Sequence, residues 1–357
     1  MTTTSLTRDA YRHVGRYVVD QSPIAVDLRD NTNLWGVPPA ASRAIAAAAS
    51  AASRYPRIYA SALKDALAVY AGVTPDMIVT GCGSDDVLDA ALRAIADPGE
   101  CMAHLDPTFP TAVTFARMNG LVPVGVPLTP GWDADADALI ATGARVIYLC
   151  SPNNPTGTVV SRESLERLAT HAPGVVIVDE AYTEYAKTSA ADLVGPGSRL
   201  LILRTLSKAF GLAGLRVGYA IGSPDLIAAV EKSRGPYKVN VVAEHAAIAA
   251  LTTDAGWVRA RVAETIANRR QLAGRLAALG LPALPSGANF LFVPTPDAVS
   301  LERSLWNSGI GVRLYTGLRG FGDAIRMTSG PWYLMAPLIQ GLERATGRSA
   351  SFDGQPA

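Results

Sequence analysis

Thr205-Leu206-Ser207-Lys208-Ala209-Phe210-Gly211-Leu212-Ala213-Gly214-Leu215-Arg216-Val217-Gly218 follows the aliphatic run Leu200–Leu203, which reads as a buried strand. A lysine is ordinarily a solvated surface cation. Lys208 sits instead between a serine and a loop of glycine and apolar residues. Such neighbours would desolvate its ammonium and lower its pKa, as an imine-forming lysine requires. Ser207 and Arg216 offer a hydroxyl and a guanidinium for a phosphate close by. The glycine-rich loop returns so soon to Val217–Ile221 that this strand is expected to run opposite to its neighbour.

Working outward, aliphatic runs at Met77–Thr80, Val122–Pro127, Val146–Cys150 and Val175–Asp179 alternate with helical patterns at Asp85–Ala96, Thr111–Asn119, Asp135–Ala141 and Arg162–Thr170. Strands apolar on both faces, separated by helices, predict a mainly parallel sheet covered on both sides, a three-layer αβα arrangement. Ser223-Pro224 reads as a helix start, with serine as cap. A long helical pattern, Trp257–Leu279, stops at Gly280 and Pro282. A smaller α+β pattern follows: strand Asn289–Val293, helix Ser300–Asn307, strands near Gly311–Leu314 and Ala324–Thr328, and helix Trp332–Thr346. The expected division is residues 1–40 as an N-terminal arm and part of a small domain, 41–280 as a large domain, and 281–357 as the rest of the small domain. The polar tail Ser349–Ala357 is expected to fray.

The chain has 357 residues, enough for about two domains. Hydrophobic residues make up 49% and the net charge is +1, which argues against disorder and against nucleic acid or an anionic membrane as partner. Three scattered cysteines (Cys82, Cys101, Cys150) and four scattered histidines form no CxxC or HExxH pair, so no metal site is expected. The first residues show no apolar segment, and Ala44–Ala52 is a short alanine helix between Arg43 and Arg54; a cytoplasmic protein is expected. Gly81-Cys82-Gly83-Ser84-Asp85-Asp86 fails as GxGxxG at Asp86, and no GxxxxGK[ST] occurs. A glycine turn entering a helix still offers free N–H groups to an anion.

The Lys208 stretch resembles the lysine motif of the fold type I pyridoxal-phosphate enzymes, in the class I/II aminotransferase group. The resemblance implies pyridoxal 5'-phosphate as cofactor, Lys208 as catalytic base, and Thr205, Ser207 and Arg216 around the phosphate. It implies further roles in chain order. Gly83, Ser84 and Asp85 would form the phosphate loop. Phe109, in Asp106-Pro107-Thr108-Phe109-Pro110, would stack on the ring. Asn154, in Ser151-Pro152-Asn153-Asn154-Pro155, and Tyr182 would donate to the phenolic oxygen. Asp179, ending a buried strand, would pair with the pyridinium nitrogen. Tyr55 would cross a homodimer interface to the neighbouring cofactor. More loosely, Asn31 and Gly36, in Asn31-Thr32-Asn33-Leu34-Trp35-Gly36, and Asn289 would belong to the substrate wall, with Arg313 and Arg326 meeting anionic groups. Arg313 reads equally well as a structural ion pair.

Within that group the chain resembles histidinol-phosphate aminotransferases, with an amino donor and a 2-oxo acid as small-molecule partners. Aromatic amino-acid aminotransferases and threonine-phosphate decarboxylases are the alternatives. The departures lie on the substrate side: Asn31-Thr32-Asn33-Leu34 for Asn-Glu-Asn-Pro, Tyr55-Pro56-Arg57 for Tyr-Pro-Asp, and Pro236-Tyr237-Lys238 for Pro-Tyr-Asn. Tyr11 or Tyr17 would be the N-terminal tyrosine touching substrate.

Overall fold

A computed structural model of the chain describes residues 8–16, 18, 20 and 22–350. Seven strands form the central sheet: β1 (Ile78–Cys82), β2 (Cys101–Asp106), β3 (Val122–Pro127), β4 (Val146–Cys150), β5 (Val175–Asp179), β6 (Leu200–Thr205) and β7 (Val217–Gly222). Their order is β1-β7-β6-β5-β4-β2-β3. All run parallel except β7, which is antiparallel to both β1 and β6, as the short return after Arg216 predicts. Three strands match their expected bounds; β1 begins one residue later and ends two later than expected, β6 ends two later and β7 one later. Strand β2 has no continuous aliphatic signal in the sequence, because His104 and the flanking Cys101 and Asp106 interrupt it. Pairing with β3 and β4 supplies what composition did not.

Side chains alternate across the sheet. Ile147, Leu149, Val176, Val178 and Ile202 enter the apolar cluster on one face. Val146, Tyr148, Cys150, Val175, Ile177 and Leu203 enter the cluster on the other. Helices cover both faces, and one of them, Val241–Thr252, carries no helical signal in the sequence. It is apolar all round rather than along one stripe, so it gives no amphipathic period. The helix Pro224–Lys232 starts at Ser223 as expected, but the serine hydroxyl donates to the Ser198 carbonyl rather than capping the helix.

The helix Ala255–Ala278 leads to a second, antiparallel sheet of β8 (Phe290–Pro294), β9 (Arg313–Leu318) and β10 (Gly322–Thr328), in the order β9-β10-β8. The strand expected near Gly311–Leu314 is two pieces. Ile310–Gly311 pairs in parallel with Val26–Asp27, whereas Arg313 begins β9. Leu28 shares one apolar cluster with Leu276, Leu291, Ile325 and Leu338, so the early chain packs with the late one. Ala350, in the tail expected to fray, is 1% exposed and accepts from Arg275 at 2.7 Å; residues 351–357 lie outside the described residues. Among the described residues no helix is long and apolar enough to cross a membrane.

Candidate active site

The C-terminal ends of β1, β2, β4, β5 and β6 meet at one edge of the central sheet, where ligands collect in open α/β folds. Because β7 is reversed, Arg216 enters it from that same edge. A cavity of about 260 Å³ opens there, lined by Ser84, Asp85, Phe109, Asn154, Asp179, Tyr182, Thr205, Ser207, Lys208 and Arg216, among others. These are ten of the residues singled out in the sequence, drawn from positions over 130 apart. A second cavity of about 400 Å³ shares Phe109, Asn154, Tyr182 and Lys208 with it and adds Asn31, Arg313 and Arg326.

The pleat explains which acid of the pair Asp179-Glu180 faces the cavity. Asp179 follows Val175 and Ile177 on one face; Glu180 turns to the other and is bonded by Arg204, Ser189 and the Ala190 N–H. Asp179 is 5% exposed and accepts from the Tyr148 hydroxyl at 2.8 Å and from Ala181 N at 3.1 Å. Burial raises its pKa to about 6 against the pull of those two donors. Burial also holds the Tyr148 phenol well above its usual range, so Tyr148 stays a neutral donor. Tyr148 was not singled out in the sequence. The available signal is an aromatic hydroxyl inside the aliphatic run Val146–Cys150, on the face and in the register that reaches Asp179.

The adjacent asparagines divide in the same way. Asn153 holds the loop, bonding Pro107 O, Thr108 and Thr156. Asn154 faces the cavity and accepts from Arg326 Nη1 at 2.5 Å, which leaves its amide hydrogens free. Tyr182 accepts at its hydroxyl from Asn31 Nδ2 at 3.1 Å, and burial raises its pKa.

At the other end of the first cavity, Gly83 takes φ +82° and the helix Ser84–Ile95 begins with no side-chain cap on its first N–H groups. A Cβ at Gly83 would fall 2.5 Å from Arg216 Nη2, so a side chain there would fill the space the guanidinium uses. Gly218 on β7 lies directly beneath: its Cβ would be 2.1 Å from Ser84 N. Arg216 Nη2 reaches the Asp85 carboxylate at 3.4 Å. Thr205 Oγ1 lies 2.9 Å from Ser207 Oγ and accepts from Ser207 N at 3.1 Å, which fixes the serine beside the lysine.

Lys208 Nζ donates to the Asp30 carbonyl at 3.1 Å and lies 5.7 Å from the Tyr182 ring centre. Burial lowers its pKa to about 8, helped by Arg326 and Arg216 and opposed by Asp30 and Asp85. Arg326 is 5% exposed, donates to Asn154 and to the Arg29 carbonyl at 2.6 Å, and lies over Phe290 and Tyr315. Among the described residues no carboxylate pairs with it. Arg313 does have one, the Asp30 carboxylate.

Not every expected residue lines the cavities. Gly36 does not: its carbonyl sits behind Gly211, where a Cβ would approach it to 2.4 Å, so it packs against the lysine loop instead of facing ligand. Asn289 is one step back and donates to the Asn31 carbonyl at 3.0 Å. Tyr55 is 84% exposed and stacked on Tyr237, away from both cavities of its own chain. Tyr11 is 41% exposed and lines neither cavity; Tyr17 lies outside the described residues.

Comparison with known proteins bears on this site. The family model for aminotransferase class I and II matches residues 23–329. A histidinol-phosphate aminotransferase of Roseiflexus castenholzii is 40% identical over 319 residues, 85% of each chain. An aromatic amino acid aminotransferase of Rhodococcus erythropolis is 35% identical over 316 residues, 86% of this chain and 87% of that one. The crystal structure of histidinol-phosphate aminotransferase from Sinorhizobium meliloti in complex with pyridoxal-5'-phosphate superposes with a TM-score of 0.89 at 26% identity, covering 97% of this chain and 99% of that one. A mainly parallel sheet, a half-buried lysine at its C-terminal edge and a match over most of the length agree: the chain belongs to the class I and II aminotransferases, pyridoxal-phosphate-dependent enzymes that move an amino group between an amino substrate and a 2-oxo acid.

Proposed function

We propose that the amino substrate is of the histidinol-phosphate type, with a 2-oxo acid as the other partner, and that the two cavities form one active site. The observation that carries this is Arg326: a buried guanidinium facing the cavity that holds Lys208, with no carboxylate among the described residues to neutralise it. A charge so placed is costly unless an anion joins it. Its planar fork suits a phosphate or a carboxylate. The relatives named histidinol-phosphate aminotransferase support the phosphate. The aromatic reading is favoured by a different observation, the Asp30 carboxylate already bonded to Arg313.

The residues present fit pyridoxal phosphate. The free N–H groups at the Ser84 helix start, the Ser207 hydroxyl and the Arg216 guanidinium form a cradle that Gly83 keeps open, and would hold the phosphate with Gly83, Asp85 and Thr205 shaping its wall. Asp179 would pair with the ring nitrogen, Asn154 and Tyr182 would donate to the phenolic oxygen, and Phe109 would cover the ring face. When bound, the cofactor supplies a carbonyl to join the amino group and a ring that accepts electrons from the substrate's Cα. Lys208, with its pKa near 8, would carry a proton to and from Cα at neutral pH. Asp179, kept from solvent by Tyr148 and the sheet, would hold the ring-nitrogen proton in place. Arg326 would orient the substrate's anionic group.

The same reading assigns residues 41–280 to a large cofactor-binding domain, and the residues before about 40 and after about 280 to a small one. The apolar cluster shared by Leu28 and Leu291–Leu342 supports that division. It also places Tyr55 in the partner's site of a homodimer, supported by its exposure and distance from its own chain's cavities. The test is a single-turnover screen of cofactor absorbance with histidinol phosphate, aromatic amino acids, glutamate and phosphothreonine. A change with histidinol phosphate at the highest kcat/KM is expected. A preference for aromatic amino acids would replace this reading with the aromatic one, and release of carbon dioxide would replace it with a decarboxylase.

A further inference from the structure

Arg313 and Arg326, 13 residues apart in the chain, are direct cross-strand partners on β9 and β10. Residues so paired point to the same side of the sheet, and like charges there disfavour each other. The molecule settles the two cations differently. Arg326 meets only neutral acceptors, Asn154 and the Arg29 carbonyl. Arg313 is bonded to the carboxylate of Asp30. Asp30 lines both cavities, and in the second it is the sole carboxylate among the described lining residues. Its side chain is 56% exposed, whereas that of Arg313 is 21% exposed. Its backbone carbonyl receives Lys208 Nζ, so the residue is anchored beside the lysine while its carboxylate is free to leave Arg313.

We propose that Asp30 is a specificity-determining residue, an internal anion that occupies Arg313 and leaves one uncompensated guanidinium, Arg326, for a substrate with a single anionic group. The inference rests on the reading of Arg326 as the anion clamp. A half-exposed ion pair is weak enough to be exchanged. A second anionic group can therefore reach Arg313, but it must displace Asp30 and tolerate that carboxylate nearby. The pocket thus discriminates by competition. Amino substrates with one carboxylate or one phosphate and an otherwise neutral body are favoured, and dicarboxylates are penalised.

The probes are glutarate and 3-phenylpropionate, non-reacting ligands with two carboxylates and one. Their affinities are measured by calorimetry on the full-length holoenzyme. Asp30→Ala is expected to raise the affinity for glutarate about tenfold relative to that for 3-phenylpropionate, and Asp30→Asn to do the same, because the charge carries the effect. Asp30→Ala combined with Arg313→Ala is expected to lose that gain. An unchanged affinity ratio in Asp30→Ala, or a gain that persists without Arg313, would overturn the proposal. Arg326→Lys separates the two levels. Weaker binding of both ligands supports the clamp, so that an unchanged Asp30→Ala ratio then removes Asp30 alone. Binding of both ligands unaffected by Arg326→Lys would overturn the clamp and, with it, the role given to Asp30.

Discussion

Lys208 titrates near 8 because its ammonium is desolvated and faces two guanidinium groups. At pH 8 about half of it is neutral, against about 0.3% for a lysine with the ordinary value of 10.5. Acylation of Lys208 in the apoprotein, followed by peptide mass mapping across pH, should therefore reach half its maximal rate near pH 8; a midpoint above 10 would contradict the role given to it. Replacing it with alanine should lower turnover by several orders of magnitude. Asp179 is shifted in the opposite sense, up from 3.8 to about 6, because burial penalises its charge. The sign follows from linkage: an acid whose folded pKa is raised contributes stability below its unfolded value and loses it as pH rises through the folded one. The apoprotein should lose stability between about pH 4 and 6, and Asp179→Asn should flatten that part of the urea-midpoint profile. The same variant should slow turnover sharply in the holoenzyme, since it removes the charge held against the ring nitrogen. Arg326→Lys should keep the protein folded and cofactor-loaded, yet reduce kcat/KM for anionic substrates by about tenfold, each tenfold being about 1.4 kcal/mol.

At the scale of elements, the site depends on how closely β7 passes beneath the helix Ser84–Ile95. Gly218 has no room for a methyl group, because the atom in the way is the backbone nitrogen of Ser84 and cannot swing aside. Gly218→Ala should push the start of that helix away from Arg216. Overpacking of this kind costs about 1–3 kcal/mol. The expected outcome is a lower thermal midpoint together with weaker cofactor retention on dialysis; a variant that keeps both would show that the helix start does not hold the phosphate. The reversed direction of β7 matters here as well. A parallel strand would carry Arg216 to the opposite edge of the sheet, far from Ser84.

At the scale of the whole molecule, Tyr55 tests the shared site. A heterodimer of one Tyr55→Phe chain and one Lys208→Ala chain would combine both lesions in one site and leave the other intact. It should show about half the parental activity per dimer, with parental cofactor affinity in the active half. Activity no higher than the mean of the two homodimers would place Tyr55 in its own subunit's site or in none.

Strong local signals made much of this legible in the chain itself. The aliphatic runs Val146–Cys150 and Val175–Asp179, the glycine loop after Lys208 and the turn at Asn154-Pro155 each carry their meaning within a few residues, because burial on both faces and special turn geometry restrict which residues can stand there. Strand β2 and the helix Val241–Thr252 lacked such signals, one for want of a continuous aliphatic run and the other for want of a polar face. What only the tertiary structure decided concerns contacts between distant segments. The pleat turned Asp179 rather than Glu180 into the cavity and set Tyr148 behind it. The antiparallel ladder brought Arg313 opposite Arg326, and packing of the early chain against the late one delivered Asp30 to Arg313 and Lys208. A charge's partner across some 280 positions leaves no mark on its neighbours in sequence, since the free energy that joins them arises when the sheet and the loops have closed around them.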